Sequence, residues 1–402
     1  MGIFETLGSV ARFRRLELDP VTRRLARAAS VEDLRRIAKR RLPRGVFDYI
    51  DGAAGDERTL ARNADAFAEI EFNPRVLRDV SQIDMGTRFL GQDLPLPLVL
   101  APTGFPRVAD PEGELAVARA AGRAGLPFSL STVGTRSIED VASVASGPLF
   151  FQVYVWRDKG LLREMLQRAK RAGYRAILIT VDTAVLGRRE RDVRNGFTLP
   201  PQLGLDTVLQ GLLHPGWTWS FLRSDPIQFA NVIGKGVEDG SSPIVLADHM
   251  NSQMDPCLSW RDIEWFQSEW DGPIVIKGIQ SVEDARLAAD SGVQAFALSN
   301  HGGRQLDGAP APIDLVAPVA DAVGDRLEII CDGGIRHGAD IARAVARGAT
   351  VGMVGRAFLY GLAAGGERGV DHVLNLLTED LRRTLALIGC DRISKLDSSY
   401  LR

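Results

Sequence analysis

The chain has 402 residues, 45% apolar and 25% charged, with a formal net charge of −2. This is the composition of a globular chain of one large or two medium domains, and it lacks the overall basic field that nucleic-acid binding needs. The three cysteines, Cys257, Cys331 and Cys390, are far apart and form no CxxC pair, so neither a disulfide framework nor a cysteine metal site is expected and a reducing compartment fits best.

No apolar run of about 18 residues is present to cross a membrane, and no signal-peptide core opens the chain, so a cytoplasmic protein is expected. Met1-Gly2-Ile3-Phe4-Glu5-Thr6 matches a myristoylation pattern, but a match this short is expected by chance. Residues 1–30 are Arg-rich with scattered Phe4, Leu7, Val10, Phe13 and Leu16. They read as a solvated arm or subunit contact, with a basic amphipathic helix as the alternative. Ser30 then caps a helix running to about Arg41, before Pro43. Gly45 to Ala68 reads as one further helix.

From residue 95 a rhythm of short apolar runs and amphipathic segments sets in. Pro95–Gly104 is a strand and loop, Glu112–Gly125 a helix, Pro127–Thr132 a strand, and Ser137 caps the next helix. Leu149–Tyr154 is a strand, Lys159–Ala172 a helix closed by Gly173, and Ala176–Asp182 a strand. A long interruption follows, centred on residues 195–260, with Leu199-Pro200-Pro201, His214-Pro215-Gly216-Trp217-Thr218-Trp219 and a Gly/Ser-rich piece at Gly234–Ser242. Interruptions of this length are usually functional or mobile. The rhythm resumes with strands at Pro273–Gly278, Phe296–Ser299, Glu328–Gly334 and Val351–Arg356, and a helical region over Gly369–Gly389. Eight strands apolar on both faces, alternating with helices, predict an α/β fold with a parallel (β/α)8 barrel, an N-terminal helical extension and a long insertion after the fourth strand. A doubly wound open sheet is the alternative, but no GxGxxG follows the first strand.

A barrel of this kind binds ligands at the C-terminal ends of its strands. There the sequence places Thr103, Ser131, Gln152, Tyr154, Thr180, Asp182, Lys277, Ser299, His301, Arg304, Asp332, Arg336 and Arg356. After the seventh and eighth strands Gly333, Gly334 and Gly355 free backbone amides beside Arg336 and Arg356, a phosphate corner unless the glycines serve ordinary turns. Asp182 can pair with His301 and stabilise an imidazolium, and Arg304 can grip a carboxylate. Lys277 on a buried strand needs a counter-charge, either an anionic cofactor or an acid on a neighbouring strand.

These residues stand in motifs: SNHGGRQLD at Ser299–Asp307, FDYIDGAAGDE at Phe47–Glu57, APTG at Ala101–Gly104, FFQVYVWRD at Phe150–Asp158, TVDTAVLGRRERDVRNG at Thr180–Gly196, VIKGI at Val275–Ile279 and DGGIRHG at Asp332–Gly338. The set resembles the FMN-dependent α-hydroxy acid dehydrogenase and oxidase family over roughly residues 31–395. The resemblance implies an FMN-binding (β/α)8 enzyme that oxidises an L-2-hydroxy acid. It implies His301 as base, Asp182 stabilising its protonated form, Arg304 and Tyr49 on the substrate carboxylate, Tyr154 on the substrate oxygen, and Arg189 over the site. FMN would be held by Thr103, Ser131, Gln152, Thr180, Lys277, Ser299, Asp332, Gly333, Gly334, Arg336, Gly355 and Arg356, with no metal. The sequence departs from the family pattern at Val133, Gly104, Gly55 and His337, none of them a catalytic group. The insertion is similar to that of bacterial quinone-linked lactate and mandelate dehydrogenases, and its Trp217 and Trp219 suit either a membrane interface or packing against the barrel or a neighbouring subunit. The expectation is oxidation of L-lactate, with a quinone or respiratory carrier taking the electrons. The alternatives are an O2-using oxidase or monooxygenase, or a silent flavin-binding protein. Family members are often tetramers, and a homo-oligomer is expected.

Overall fold

The computed structural model describes residues 17–195, 205–232 and 254–402. Four helices precede the barrel: α1 (Pro20–Leu25), α2 (Val31–Arg41), α3 (Arg44–Asp51) and α4 (Arg58–Ala68). A hairpin of β1 (Thr87–Phe89) and β2 (Gln92–Leu94) follows, then β3 (Leu98–Leu100), α5 (Glu114–Arg123), β4 (Phe128–Ser131), α6 (Ile138–Val144), β5 (Leu149–Tyr154), α7 (Lys159–Arg171) and β6 (Ala176–Thr180). The insertion carries α8 (Glu190–Arg194), α9 (Leu205–Leu213), α10 (Pro215–Arg223) and α11 (Asp262–Glu269). Last come β7 (Ile274–Ile279), α12 (Val282–Asp290), β8 (Ala295–Ser299), α13 (Pro312–Val323), β9 (Glu328–Asp332), α14 (Gly338–Ala346), β10 (Val351–Val354), α15 (Arg356–Gly365) and α16 (Glu367–Leu387).

Strands β3 to β10 are the eight expected, and they close in sequence order, with β10 pairing in parallel to β3 through Gly352 and Leu98. The alternation along each strand divides the core in two. Val99, Phe150, Leu178, Val275, Ala297, Ile330 and Met353 fill the barrel, while Leu98, Leu100, Phe128 and Ile276 pack outward under the helices. The helix starts predicted at Ser30 and Ser137 are capped by those hydroxyls, which satisfy otherwise orphaned amides.

Three features differ from the sequence reading. Gly45–Ala68 is not one helix: α3 stops at Gly52, and the chain passes through left-handed Gly55 (φ 55°) and Glu57 (φ 63°) before α4. The break is set by tertiary pairing, because the turn amides face the loop after β8: Ala54 N donates to Gly303 O, and Asp56 and Thr59 N donate to Asp307. The hairpin at 87–94 plugs the barrel floor, with Phe89 edge-on to Phe150 at 6.2 Å and both buried. The describable part of the N-terminal arm packs onto the body: Leu25 is buried and Arg24 donates to Ala364 O. Residues 1–16, Leu199–Pro201 and the Gly/Ser-rich Gly234–Ser242 lie outside the described residues.

Phe150 sits where the floor meets the barrel interior. Phe150→Ala is expected to cost about 3–5 kcal/mol, as other buried aromatic truncations do, measured as a drop in the midpoint of chemical denaturation.

Candidate active site

The loop after β8 is built around an unusual residue. His301 adopts a left-handed conformation (φ 59°), which costs a non-glycine residue of order 1 kcal/mol and persists only where its surroundings hold it. Here they do. Asn300 Oδ1 accepts from Gly303 N at 3.1 Å, the Asn300 and Asn63 side-chain amides bond each other at 2.7 and 2.9 Å, and His301 N donates to Ser299 Oγ at 3.1 Å. The strained turn aims the imidazole at the end of β6. His301 Nδ1 lies 3.0 and 3.2 Å from the two carboxylate oxygens of Asp182. A β-bulge in β7 makes room for this pair: a side chain at Gly278 (φ 117°) would come within 2.8 Å of Asp182 Cβ. Burial opposes ionisation of Asp182, but the adjoining His301 and the more distant Lys277 outweigh it and hold the carboxyl below its ordinary range.

Tyr154 ends β5. Burial first, then the Asp182 charge, push its phenol well above the usual range, so it keeps its O–H. Arg304 is half-buried, and its Nη1 donates to Tyr49 O at 2.7 Å and Gly52 O at 3.0 Å. Among the described residues no carboxylate forms an ion pair with it. Burial, and then the neighbouring Arg189, disfavour its charge, which is the situation of a cation placed to receive an anion. The guanidinium carbons of Arg304 and Arg189 lie 5.1 and 5.7 Å from the Tyr49 ring centre.

On the other side of the rim, Lys277 Nζ is 3.0 Å from both Asp332 Oδ2 and Ser299 Oγ, and Ser299 Oγ donates to Asp332 at 2.7 Å. Of the two counter-charges considered for Lys277, the acid is therefore in place. Burial works against the ammonium, but Asp332 and then Asp182 raise its pKa overall. Ser131, Gln152 and Thr180 form a buried chain across β4, β5 and β6: Ser131 Oγ donates to Gln152 Oε1 at 2.9 Å and Gln152 Nε2 to Thr180 Oγ1 at 2.8 Å.

A cavity joins these two sides. Tyr49, Thr103, Gly104, Tyr154, Lys277, His301 and Arg304 line it toward the base, and Asp332, Gly333, Gly334, Arg336, Gly355 and Arg356 toward the glycine corner. Asp182, Ser131, Gln152, Thr180, Ser299 and Arg189 do not line it; they stand behind or beside the lining groups. At the corner two readings separate. A side chain at Gly334 would strike Asn63 O at 2.0 Å, so packing against α4 already requires that glycine. Arg356 spends three donors on carbonyls, those of Ile50, Gly302 and Gly52, and so clamps α3 as well as facing the cavity. The sequence reading missed Gln305, whose amide donates to Asp182 O and Val185 O and accepts from Gly187 N. It sits inside the SNHGGRQLD motif, where only a pairing across the loop marks it out.

The comparisons agree with this geometry. Residues 38–402 match the model of the FMN-dependent dehydrogenase family. An L-lactate dehydrogenase of a Caulobacter species is 41% identical over 93% of this chain and 98% of its own length. An L-lactate oxidase of a Nostoc species is 44% identical over 91% and 95%. The crystal structure of the monotopic membrane protein (S)-mandelate dehydrogenase superposes with a TM-score of 0.90 at 42% identity, covering 94% of this chain and 99% of that one. The family match and these relatives make the chain an FMN-dependent 2-hydroxy acid oxidoreductase. The chain belongs to the FMN-dependent dehydrogenase family, the α-hydroxy acid dehydrogenases and oxidases that its motifs resemble. FMN is its cofactor, and oxidation of a small 2-hydroxy acid is its chemistry.

The residues present fit FMN. Thr103 Oγ1 is buried in the cavity wall without a hydrogen-bond partner, and a polar group in that position is costly until a ligand satisfies it. Thr103→Val is therefore expected to leave the apoprotein as stable or slightly more so, and to weaken FMN uptake about tenfold for one lost hydrogen bond. Flavin fluorescence titration of the apoprotein, beside its thermal unfolding, checks both.

Proposed function

We propose that this protein oxidises L-lactate to pyruvate, with His301 as the base and a membrane quinone as the final electron acceptor. The observation that carries the reading is the half-buried Arg304, without an ion-paired carboxylate among the described residues, beside the His301–Asp182 pair. A 2-hydroxy acid presents a carboxylate and a hydroxyl on adjacent carbons, one group for each. Arg304 and Tyr49 hold the carboxylate, with Arg189 above. Asp182 engages Nδ1 and so leaves Nε2 of His301 to take the hydroxyl proton, and it stabilises the imidazolium that results. Tyr154, kept protonated, donates to the substrate oxygen. Bound FMN supplies the two-electron acceptor; Thr103, Lys277, Arg336 and the amides at Gly333, Gly334 and Gly355 are the groups assigned to it, with Ser131, Gln152, Thr180, Ser299, Asp332 and Arg356 completing its surroundings.

The wall beyond the carboxylate supports a small substrate side chain. A methyl added at Gly104 would come within 3.1 Å of Val133 Cγ2 and 3.4 Å of the Tyr49 hydroxyl, so the gap is already about one methyl wide. The quinone rests on the α9–α10 hairpin. Trp217 turns inward, donating to Val108 O at 2.8 Å and stacking on Phe221 at 4.8 Å. Leu212, Leu222 and Trp219 turn outward, 72%, 72% and 60% exposed, and Arg223 lies 4.2 Å from the Trp219 ring. Outward apolar side chains flanked by an aromatic and a cation are what a membrane interface takes up. Among the described residues no helix is long and apolar enough to cross a membrane. The reading is thus of a peripheral protein on the cytoplasmic face, assembled as a homotetramer, for which exposed Leu77 and Leu387 offer apolar surface.

His301→Gln is expected to retain FMN and lose about 10²–10⁴-fold in kcat on L-lactate; turnover at the original rate would remove the base assignment. For the acceptor, anaerobic enzyme reduced by L-lactate is mixed with O2 and with quinone-loaded vesicles. Rapid reoxidation by the vesicles, slowed by Leu212→Asp with Leu222→Asp while a water-soluble quinone stays equally fast, is the expected result. Faster reoxidation by O2 would make the protein an oxidase instead, and a higher kcat/KM for glycolate or mandelate would displace lactate.

A further inference from the structure

The segment that carries Arg189 is held by charge rather than by packing. Helix α8 has five residues and none is buried, and Val193 points into solvent. Its side-chain attachments are polar. Arg191 Nη1 donates to Asp51 Oδ2 at 2.9 Å and to Asp48 Oδ1 at 3.3 Å, its Nη2 bonds Glu57, and Asn195 Nδ2 donates to Asp48 Oδ2 at 2.5 Å. One main-chain bond adds to these, Gly55 N to Arg188 O at 3.1 Å.

The receiving carboxylate is unusually well made. Asp51 is the last residue of α3 and buried. Its Oδ1 also accepts from Arg35 Nε at 2.5 Å and from Tyr360 Oη at 2.8 Å, and its Oδ2 from Arg35 Nη2 at 2.9 Å. Four donors on two oxygens fill the acceptor sites of a carboxylate, so its position is fixed from the body side by α2 and α15. Among the described residues, Arg191 alone reaches it from the insertion side. Two residues before Asp51 stands Tyr49, and two residues before Arg191 stands Arg189, whose guanidinium lies against the Tyr49 ring.

We propose that the Arg191–Asp51 ion pair is a positioning device for the substrate carboxylate: it fixes the segment carrying Arg189 against Tyr49 and Arg304. Arg191 touches neither substrate nor cofactor and acts through these neighbours. The proposal rests on the reading that Arg304 and Tyr49 hold the carboxylate. A misplaced binding group costs affinity for that ligand group, whereas the base and its partner, on β8 and β6, stay where they are.

The test uses the holoenzyme and oxalate, an unreactive dicarboxylate, followed by the flavin absorbance change on binding. Arg191→Met is expected to raise both KM for L-lactate and Kd for oxalate about tenfold, with kcat within about threefold. Arg191→Lys should recover part of the loss. Asp51→Asn should reproduce it, and the double variant should be no worse than the worse single one, since both changes break one link. Unchanged KM and oxalate Kd in Arg191→Met overturn the proposal. So does a loss confined to kcat, FMN content or thermal stability that Lys restores no better than Met. Arg304→Lys separates the two levels. If it leaves oxalate binding intact, the carboxylate reading fails and this proposal with it. If it weakens oxalate binding while Arg191→Met does not, only this proposal fails.

Discussion

Two half-buried guanidiniums end on the same few carbonyls. Arg304 and Arg356 both donate to Gly52 O, and between them take Tyr49 O and Ile50 O as well. These are the last carbonyls of helix α3, which a helix leaves without internal partners and which carry the negative end of its dipole. A guanidinium can sit there without a direct ion pair because the helix end supplies a diffuse negative potential. It is balanced enough to fold and remains open to a real anion. An acid in place of the helix end would satisfy Arg304 permanently and close the site to a carboxylate.

The dependence runs outward from that junction. The chain leaves α3 at Gly52, where only glycine fits because a Cβ would meet Asp48 O at 2.5 Å, and it turns so that Ala54 and Asp56 face the loop after β8. That loop in turn holds His301 in its left-handed conformation through Asn300 and Asn63 on α4. The N-terminal helices are thus part of the active-site scaffold, although none belongs to the barrel. The order α3, turn, α4 fixes Arg304 on one side and the His301 loop on the other.

The sequence made the eight strands legible because each is a short apolar run ended by a polar residue, and a parallel strand buried on both faces has little freedom to look otherwise. It made the rim residues legible for the same reason: Asp182, Lys277 and His301 are charged or titratable groups at the ends of apolar runs. What it did not disclose are pairings between segments far apart in the chain. The break at Gly52–Glu57 reads locally as a continuous helix, since only contact with Asp307, some 250 residues on, requires the turn. Whether Lys277 answers an acid or a cofactor depends on the neighbour that closure of the barrel brings to β7. Arg191 and Asp51 stand in quoted motifs, yet nothing local distinguishes them from solvated charges.

The rim behaves as one electrostatic unit rather than two sites. Ser299 Oγ is the joint: it accepts from Lys277 and from His301 N, and donates to Asp332. His301 and Lys277 both act on Asp182. On this side Lys277 faces Asp332 and the His301 ring faces Asp182. On the other side Arg304 and Arg356 spend their donors on carbonyls, and neither forms an ion pair with a carboxylate among the described residues. The paired side is joined through β8 to the loop that carries Arg304, so one strand and its turn fix how the His301–Asp182 pair and the Arg304 guanidinium stand to each other.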